Sequence, residues 1–563
     1  MTSAAFARTL GRQSPALLLG LVVALLVLLP VVPLQQLAFS ANAKGLRDLA
    51  AHPEVVAVFT DTLMLTAGAV VVAVVSGTIL AFSVDALPPH LQKWIGFVPV
   101  LPLIIPSVAH VAGFVFLFSP ENGYVNSFLR SILPASEITT GPLNIYTPTG
   151  IIFYTGLHLS AFVYLFVHTG LDNLGKDYAQ AARVSGAGSL RILRTITLPM
   201  LRPVFVYATL VVLLLSLGQF SGPLMLGRRE GLNVITTEMY QLTHEFPVNY
   251  PLGAAFATPL IMMAILLVWL QRRMIGDQDR FVGRGVASTA SEPGSRWQTT
   301  IATTIIVVFI GISAVLPLLA LAFVALSPFW SGDISFATLT LRHVTYVLEN
   351  AVVIDSVKTT LVLSLAAVAL VIPLGMLIAL AIYDRALLWR PVTVAIDVFS
   401  NLPLALPAAL VGFGFLFAYS ALPVKLYGTQ FGLALAFVTV MIPFAVRYQL
   451  ATLIAIGRTT TEASRANGGG FARTFFRIIL PLARSGIAAA AAVIFVLLVH
   501  EFGVALMLRS AETNVMSVVL FELYSTGGLY PRVAAMALLM TVITSAGVAV
   551  AIWIGGLKAF ERL

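Results

Sequence analysis

The residues of this 563-residue chain that could do chemistry are few and scattered. His500-Glu501 places two titratable groups side by side in an apolar stretch. A carboxylate there could attract a cation, and an imidazole could ligate a metal. The simpler alternative has one of them hydrogen-bonded inside the protein and the other reaching an interface. His110 and His158 sit in other apolar runs, where packed, hydrogen-bonded imidazoles are the plain reading. Asp61, Asp355 and Lys358 fall near the ends of such runs, an interfacial placement. No His, Asp and Glu residues have metal-ligand spacing, so the sequence leaves a metal site undefined. Cysteine is absent, which excludes disulfides, thiolate metal sites and cysteine nucleophiles. No GxxxxGK[ST] phosphate loop occurs, and no catalytic constellation is present.

The elements that must hold these groups are constrained by composition. Hydrophobic residues make up 59% of the chain and charged residues 10%, against about a quarter charged in water-soluble domains. So little polar surface cannot keep that much apolar side chain in water. Lipid is then the solvent, and apolar runs of about 20 residues read as transmembrane helices. The fold class expected is an all-α polytopic membrane protein embedded in a lipid bilayer. The formal charge of +9 follows from basic residues retained in cytoplasmic loops, not from nucleic-acid binding.

Trimming the apolar runs at charges and turn residues gives twelve spans. Six lie near 16–38, 61–84, 95–118, 149–169, 204–226 and 252–270. Six more lie near 300–328, 356–382, 395–418, 430–449, 486–507 and 533–556. The first run follows Arg8 and Arg12 and reads as a retained helix rather than a signal peptide. It is long, and Ser40-Ala41-Asn42-Ala43 makes only a weak cleavage-like end. With both termini inside, 23 of the 33 Lys and Arg residues face the cytoplasm, including those from Lys176 to Arg202 and from Arg447 to Arg484. The polar connector 276–299 contains Gly283, Gly285, Ser288 and Pro293. It reads as a flexible cytoplasmic linker between a first half, 1–275, and a second, 300–563.

The halves repeat at an offset of 282 residues. Leu171 meets Leu453, Gly175 meets Gly457, Arg183 meets Arg465, and Gly186 meets Gly468. Leu198-Pro199 meets Leu480-Pro481, Phe220 meets Phe502, and Leu224-Met225-Leu226 meets Leu506-Met507-Leu508. Both copies begin in a cytoplasmic loop after the fourth span of their half. Six spans return the chain to the same side, so the repeat is parallel and predicts a pseudo-twofold axis along the membrane normal with a path between the halves. Within each loop, 177–185 and 459–467 have short helical character, and Gly186 or Gly468 makes a turn. Pro199 or Pro481 marks where the next element ends. A helix–glycine–helix knob of this kind can enter a groove on a soluble partner. Positive-inside charge alone accounts for the arginines but not for the recurring glycine, proline and spacing.

These loops resemble the cytoplasmic signature of binding-protein-dependent ABC import permeases, written E-A-A, three residues, G, nine residues, I-x-L-P. The first copy reads Gln180-Ala181-Ala182, then Gly186, then Ile196-Thr197-Leu198-Pro199. The second reads Glu462-Ala463-Ser464, then Gly468, then Ile478-Ile479-Leu480-Pro481. Spacing is intact in both. Gln180 lacks the carboxylate that Glu462 offers, and Ser464 departs from the pattern, so two unequal docking contacts are expected. The fused arrangement is similar to the ferric-iron permease family over essentially the whole chain, with supporting stretches at 141–146, 236–240 and 401–407. The resemblance implies a type I ABC importer permease fold of two tandem six-helix halves. It implies coupling loops at about 170–203 and 450–485, seated in two copies of an ABC ATPase subunit. It also implies an extracytoplasmic substrate-binding protein and residence in a bacterial inner membrane. This chain would bind no cofactor, with ATP and Mg held by the ATPase. Ferric iron is the implied cargo, and related fused permeases leave thiamine, 2-aminoethylphosphonate or polyamines open.

A path between the halves also needs gates. Phe220, Leu224 and Met225, with Phe502, Leu506 and Met507, follow the docking loops and could close it by excluding water. Ordinary helix packing is the competing account of these six, as it is for the prolines at 99, 102, 106, 403, 407 and 443, which permit curved spans. An ion-coupled secondary transporter or a membrane scaffold would need no pair of matched docking loops.

Overall fold

A computed structural model describes residues 3–132, 140–174, 176–275, 296–384 and 389–555. The inter-half linker residues 276–295, and with them Gly175, Arg385, Lys558 and Arg562, lie outside the described residues. Helix dominates throughout the rest, as the absence of water in lipid requires: each backbone N–H must be satisfied within its own segment. Ten helices are long and apolar enough to cross a membrane, and two further candidates are bent pairs. The fold is that of an all-α polytopic membrane protein.

The expected spans at 95–118 and 395–418 are not curved helices but broken ones. Pro89–Leu103 and Ser107–Phe118 meet at 89°, and Arg390–Ala405 and Ala408–Ala421 meet at 108°. Pro106 and Pro407 stand at the N-caps after each break. A proline pushes the residue before it out of helical geometry and cannot continue the ladder, so two close prolines fold the span instead of bending it. The spans expected at 204–226 and 486–507 also end early. Their helices stop at Leu217 and Val499, and the short helices Ser221–Leu226 and Gly503–Met507 follow.

Elements recur between the halves at the offset read from the sequence. Lys176–Val184, Ser189–Ile192 and Leu198–Leu217 correspond residue for residue to Arg458–Ala466, Phe471–Thr474 and Leu480–Val499. The prolines in the loops do not mark an end. Each lies two residues beyond a π turn, Leu193–Thr197 or Phe475–Ile479, inside one continuous helix, Ser189–Leu217 or Phe471–Val499. Leu198 and Leu480 donate to the carbonyls five residues back. Widening the turn removes the clash that a proline makes with the carbonyl four residues earlier. Gly311–Val315 repeats the device ahead of Pro317.

The first helix of each half packs on its own half's last helix and also on the other half's bent pair. Ser3–Ala51 lies against Tyr250–Ile275 and against both arms of the second bent pair; Leu316–Leu326 lies against Tyr530–Gly555 and Ser107–Phe118. Ser3–Ala51 is itself interrupted at Ser40–Ala43, where Ala41, Asn42 and Ala43 adopt positive φ. Each crossing is closest at a glycine. A Cβ on Gly113 would lie 2.9 Å from Pro317, and one on Gly414 would collide with the Pro30 carbonyl. In lipid, where apolar side chains gain nothing by leaving solvent, such close backbone approach supplies much of the association.

Candidate functional site

Two regions hold the residues singled out above, at opposite ends of the same helices. At one end, each short helix closes in the same hydrogen-bonded turn. Gly186 N–H donates to Arg183 and Ala187 N–H to Ala182; Gly468 N–H donates to Arg465 and Gly469 N–H to Ser464. These bonds and the positive φ of Gly186 (82°) and Gly468 (75°) define a Schellman ending, which needs a left-handed residue. Nothing lies within 4 Å of a Cβ built at either position, so backbone conformation, not crowding, selects glycine there.

The remaining signature residues present a face to solvent. Gln180, Ala181, Glu462 and Ala463 are exposed, while Ala182 and Ser464 are half-buried beneath them. Ser464 Oγ lies 2.8 Å from Thr474 Oγ1 and so ties the knob to the next helix. The corresponding pair in the first copy, Ala182 and Ile192, cannot make that bond. Arg465 pairs with Asp384, and Arg458 donates to the Tyr383 carbonyl at 3.3 Å. Ile196, Leu480 and Ile478 are half-buried in the helix root, and Leu198, Pro199 and Pro481 are exposed. The two knobs also differ in exposed apolar groups. The first shows Tyr178, Val184 and Leu190; the second shows Phe471 and Phe476.

At the other end, Phe220 and Phe502 meet. Their rings stack with centroids 5.5 Å apart, although 282 residues separate them in sequence. Tyr240 lies 5.9 Å from Phe220, Phe521 lies 5.4 Å from Phe502, and Tyr240 and Phe521 are 6.4 Å apart. Four buried rings therefore close the seam between halves. Leu224, Met225, Leu506 and Met507 are buried in the short helices beside them. The positions of Tyr240 and Phe521 correspond at an offset of 281, because the connector after Leu226 is one residue longer than its counterpart. That slip hid this second pair from a fixed 282-residue comparison. The surviving signal was the shared pattern of a β-branched residue and an apolar one at Val234-Ile235 and Val515-Met516.

Matched hydrogen bonds hold the gate helices Ile235–His244 and Met516–Ser525 in place. Ile235 N–H donates to Thr62 Oγ1 at 3.0 Å, and Met516 N–H to Thr360 Oγ1 at 2.9 Å. Thr236 Oγ1 donates to the Gln219 carbonyl at 2.8 Å, and Ser517 Oγ to the Glu501 carbonyl at 2.6 Å. Tyr524 breaks the symmetry by reaching the Met225 carbonyl of the other half at 3.4 Å. Beyond the rings, Arg228 pairs with Glu245 at 3.0 Å, Arg509 with Glu522 at 2.7 Å, and Arg229 with Glu121 at 2.7 Å. Partial burial alone would push the Glu121 carboxyl up. Its own backbone amide, Arg229 and Ser119 outweigh that and hold it below the usual carboxylate range.

Glu501 does not offer its carboxylate to the seam. Oε1 accepts from Val504 N–H at 2.9 Å and Oε2 from Ala505 N–H at 3.1 Å, which caps the short helix that follows. His500 is placed at the end of Leu480–Val499 with a buried Nδ1 that has no partner. His110 Nε2 lies 2.7 Å from the Ser313 carbonyl, whose α-helical partner would be Pro317, a residue without an N–H. His110 fills that vacancy from the opposite half. For neutral rings this fixes Nδ1 of His110 as acceptor from His158 Nδ1–H, 3.3 Å away. Among the described residues, no group of three or more His, Cys, Asp or Glu is placed to hold a metal ion.

Residues 74–276 match the family model of the binding-protein-dependent transport system inner membrane component. A probable ABC transporter permease of Sinorhizobium fredii is 23% identical over 77% of this chain and 76% of its own length. The ferric transport system permease protein FbpB of Actinobacillus pleuropneumoniae is 22% identical over 82% of this chain and 66% of its own length. Permeases for sulfate, 2-aminoethylphosphonate and spermidine/putrescine align with 44%, 32% and 39% of the chain. A chain of a bacterial alginate ABC importer is 17% identical, with a TM-score of 0.39, over 46% of this chain and 95% of that one.

Proposed function

We propose that this chain, which is the multi-pass inner-membrane permease subunit of an ABC importer and not an enzyme, takes up ferric iron delivered by an extracytoplasmic binding protein. The observation that carries the cargo is extent of match. The ferric permeases align across both halves in one polypeptide, whereas relatives named for sulfate, phosphonate or polyamine align with half of the chain or less. Two copies of an ATPase subunit, which hold ATP and Mg, seat the exposed knobs at Lys176–Val184 and Arg458–Ala466. Both termini lie on that cytoplasmic side.

Alternating access follows from how the two ends are joined. Ser189–Leu217 and Phe471–Val499 are each 29 residues long, about 43 Å of helix. Each runs from a knob to its gate phenylalanine. A displacement of the knobs when the ATPases close therefore moves Phe220 relative to Phe502. Separation of the four rings opens the seam to the binding protein, and their return after hydrolysis excludes water behind the cargo. No resident ligand set is needed, since the binding protein supplies selectivity. Unequal knobs, Gln180 against Glu462 and an apolar surface against a phenylalanine pair, give the two ATPase contacts different strengths. The test is uptake by the permease reconstituted with its ATPase and binding protein, with ferric iron compared against thiamine, 2-aminoethylphosphonate, sulfate and spermidine. Iron accumulation that needs ATP supports the reading. ATP-dependent accumulation of another solute with none of iron overturns the cargo, and accumulation driven by an ion gradient without ATP overturns the mechanism.

A further inference from the structure

Arg447 was expected at the start of a cytoplasmic segment, but its helix, Gln430–Ile456, continues nine residues past it, about 13 Å. Its repeat mate is the buried Leu165, so this charge exists in one half only. An ionisable group within a spanning helix is expensive and calls for a named partner and a function.

The partners of Arg447 position it without saturating it. Nε donates to Asn401 Oδ1 at 2.9 Å, and the nearest Asp397 oxygen is 3.7 Å from NH2. Asn401 Nδ2 in turn donates to the Asp397 carbonyl at 2.6 Å and carboxylate at 3.0 Å. A structural arginine clamp is short and bidentate, as Arg229 with Glu121 is at 2.7 and 3.3 Å. Arg447 instead takes its one hydrogen bond from a neutral amide and stands beyond hydrogen-bond range of the carboxylate. Its side chain remains 42% exposed.

The location is the seam. Tyr207, on the first half's gate helix, is within electrostatic reach of Arg447. That helix runs beside the second half's bent pair, since a Cβ on Gly218 would lie 3.4 Å from Pro407. Tyr207 is ten residues before Leu217, about 15 Å toward the knobs from the aromatic closure. Unused guanidinium N–H groups and the Tyr207 hydroxyl thus gather donors with no matching acceptor.

We propose that Arg447, held by Asn401 and Asp397 and faced by Tyr207 across the seam, binds an oxyanion group, a phosphoryl, phosphonyl or carboxylate, on the knob side of the closure. Its source is either a solute in transit or a phospholipid headgroup entering the seam. The inference rests on the permease reading but not on ferric iron as cargo.

The test uses the full permease with its ATPase in nanodiscs. Inorganic phosphate and 2-aminoethylphosphonate are titrated by calorimetry, retained phospholipid is read by native mass spectrometry, and assembly with the ATPase reports folding. Saturable binding of either probe, weakened at least tenfold by Arg447→Gln, less by Arg447→Lys and a few-fold by Tyr207→Phe, supports a solute source. A retained phospholipid released by Arg447→Gln, with no probe binding, supports the lipid source. If an assembled Arg447→Gln permease matches wild type in both readouts, the inference is overturned. Iron uptake measured in parallel separates the two readings: loss of iron transport as the cargo leaves this site standing, and iron transport with an inert Arg447 leaves only the cargo reading.

Discussion

Truncating the two gate phenylalanines should open the seam non-additively, and the size of the non-additivity follows from the ring geometry. Phe220→Ala removes two ring contacts, to Phe502 and Tyr240; Phe502→Ala also removes two, to Phe220 and Phe521. At about 0.5–1.5 kcal/mol per aromatic pair, each single variant loses about 1–3 kcal/mol of closed state, which raises the open population roughly 5- to 150-fold. The double variant loses three contacts, not four, because the 5.5 Å stack between Phe220 and Phe502 is shared. Its effect should fall short of the product of the singles by one pair, about 2- to 12-fold. The absence of native cysteine makes the assay clean. A single Leu224→Cys reporter, buried at 6% beside the rings, is labelled with an impermeant maleimide from the outer side, and the labelling rate tracks the open fraction. Rates that multiply without shortfall would mean that the rings do not meet in the membrane. Rates unchanged in both single variants would mean that they do not close the path.

Three further outcomes are expected. Gly186→Ala and Gly468→Ala should each cost about 1–2 kcal/mol, since an L residue must take a left-handed conformation. Affinity for the ATPase should fall roughly 5- to 30-fold with no loss of permease thermal stability, and unchanged affinity would remove the knobs from the docking surface. Gly113→Leu and Gly414→Leu should lower the unfolding temperature in detergent by forcing the halves apart at Pro317 and Pro30, while Gly311→Ala, with nothing within 4 Å of its Cβ, should be close to neutral in space. Equal melting of all three would contradict the close crossings. Glu501→Ala should lose a helix cap worth about 0.5–2 kcal/mol, and Glu501→Gln should lose less, because an amide oxygen still accepts one N–H. If Glu501→Gln instead abolishes uptake at unchanged stability, its carboxylate contacts cargo.

The knobs were legible because their determinants are local. A helix stop needs a left-handed residue, glycine meets that need best, and the same spacing recurs 282 residues later. Phe220 and Phe502 were legible as a pair for the same reason. Glu501 was read as a charge in an apolar run, yet its two acceptor bonds run to amides three and four residues ahead. That cap emerges only once the span is seen to stop at Val499. Pro199, Pro317 and Pro481 show the reverse case. Proline chemistry argued for an ending, and a π turn before each let the helix continue.

By itself the sequence determined that the chain lives in lipid, that it is duplicated, and that each half carries a glycine-stopped knob after its fourth span. Composition, period and backbone chirality act residue by residue and need no neighbours. Only the tertiary structure decided which side chains meet across the seam. It folded two spans at their prolines, brought Tyr240 and Phe521 to the closure, gave His110 to a carbonyl orphaned by Pro317, and left Arg447 under-paired inside a helix. Those pairings join residues up to about 300 positions apart through packing between halves, and no spacing along one chain encodes the distance between two surfaces.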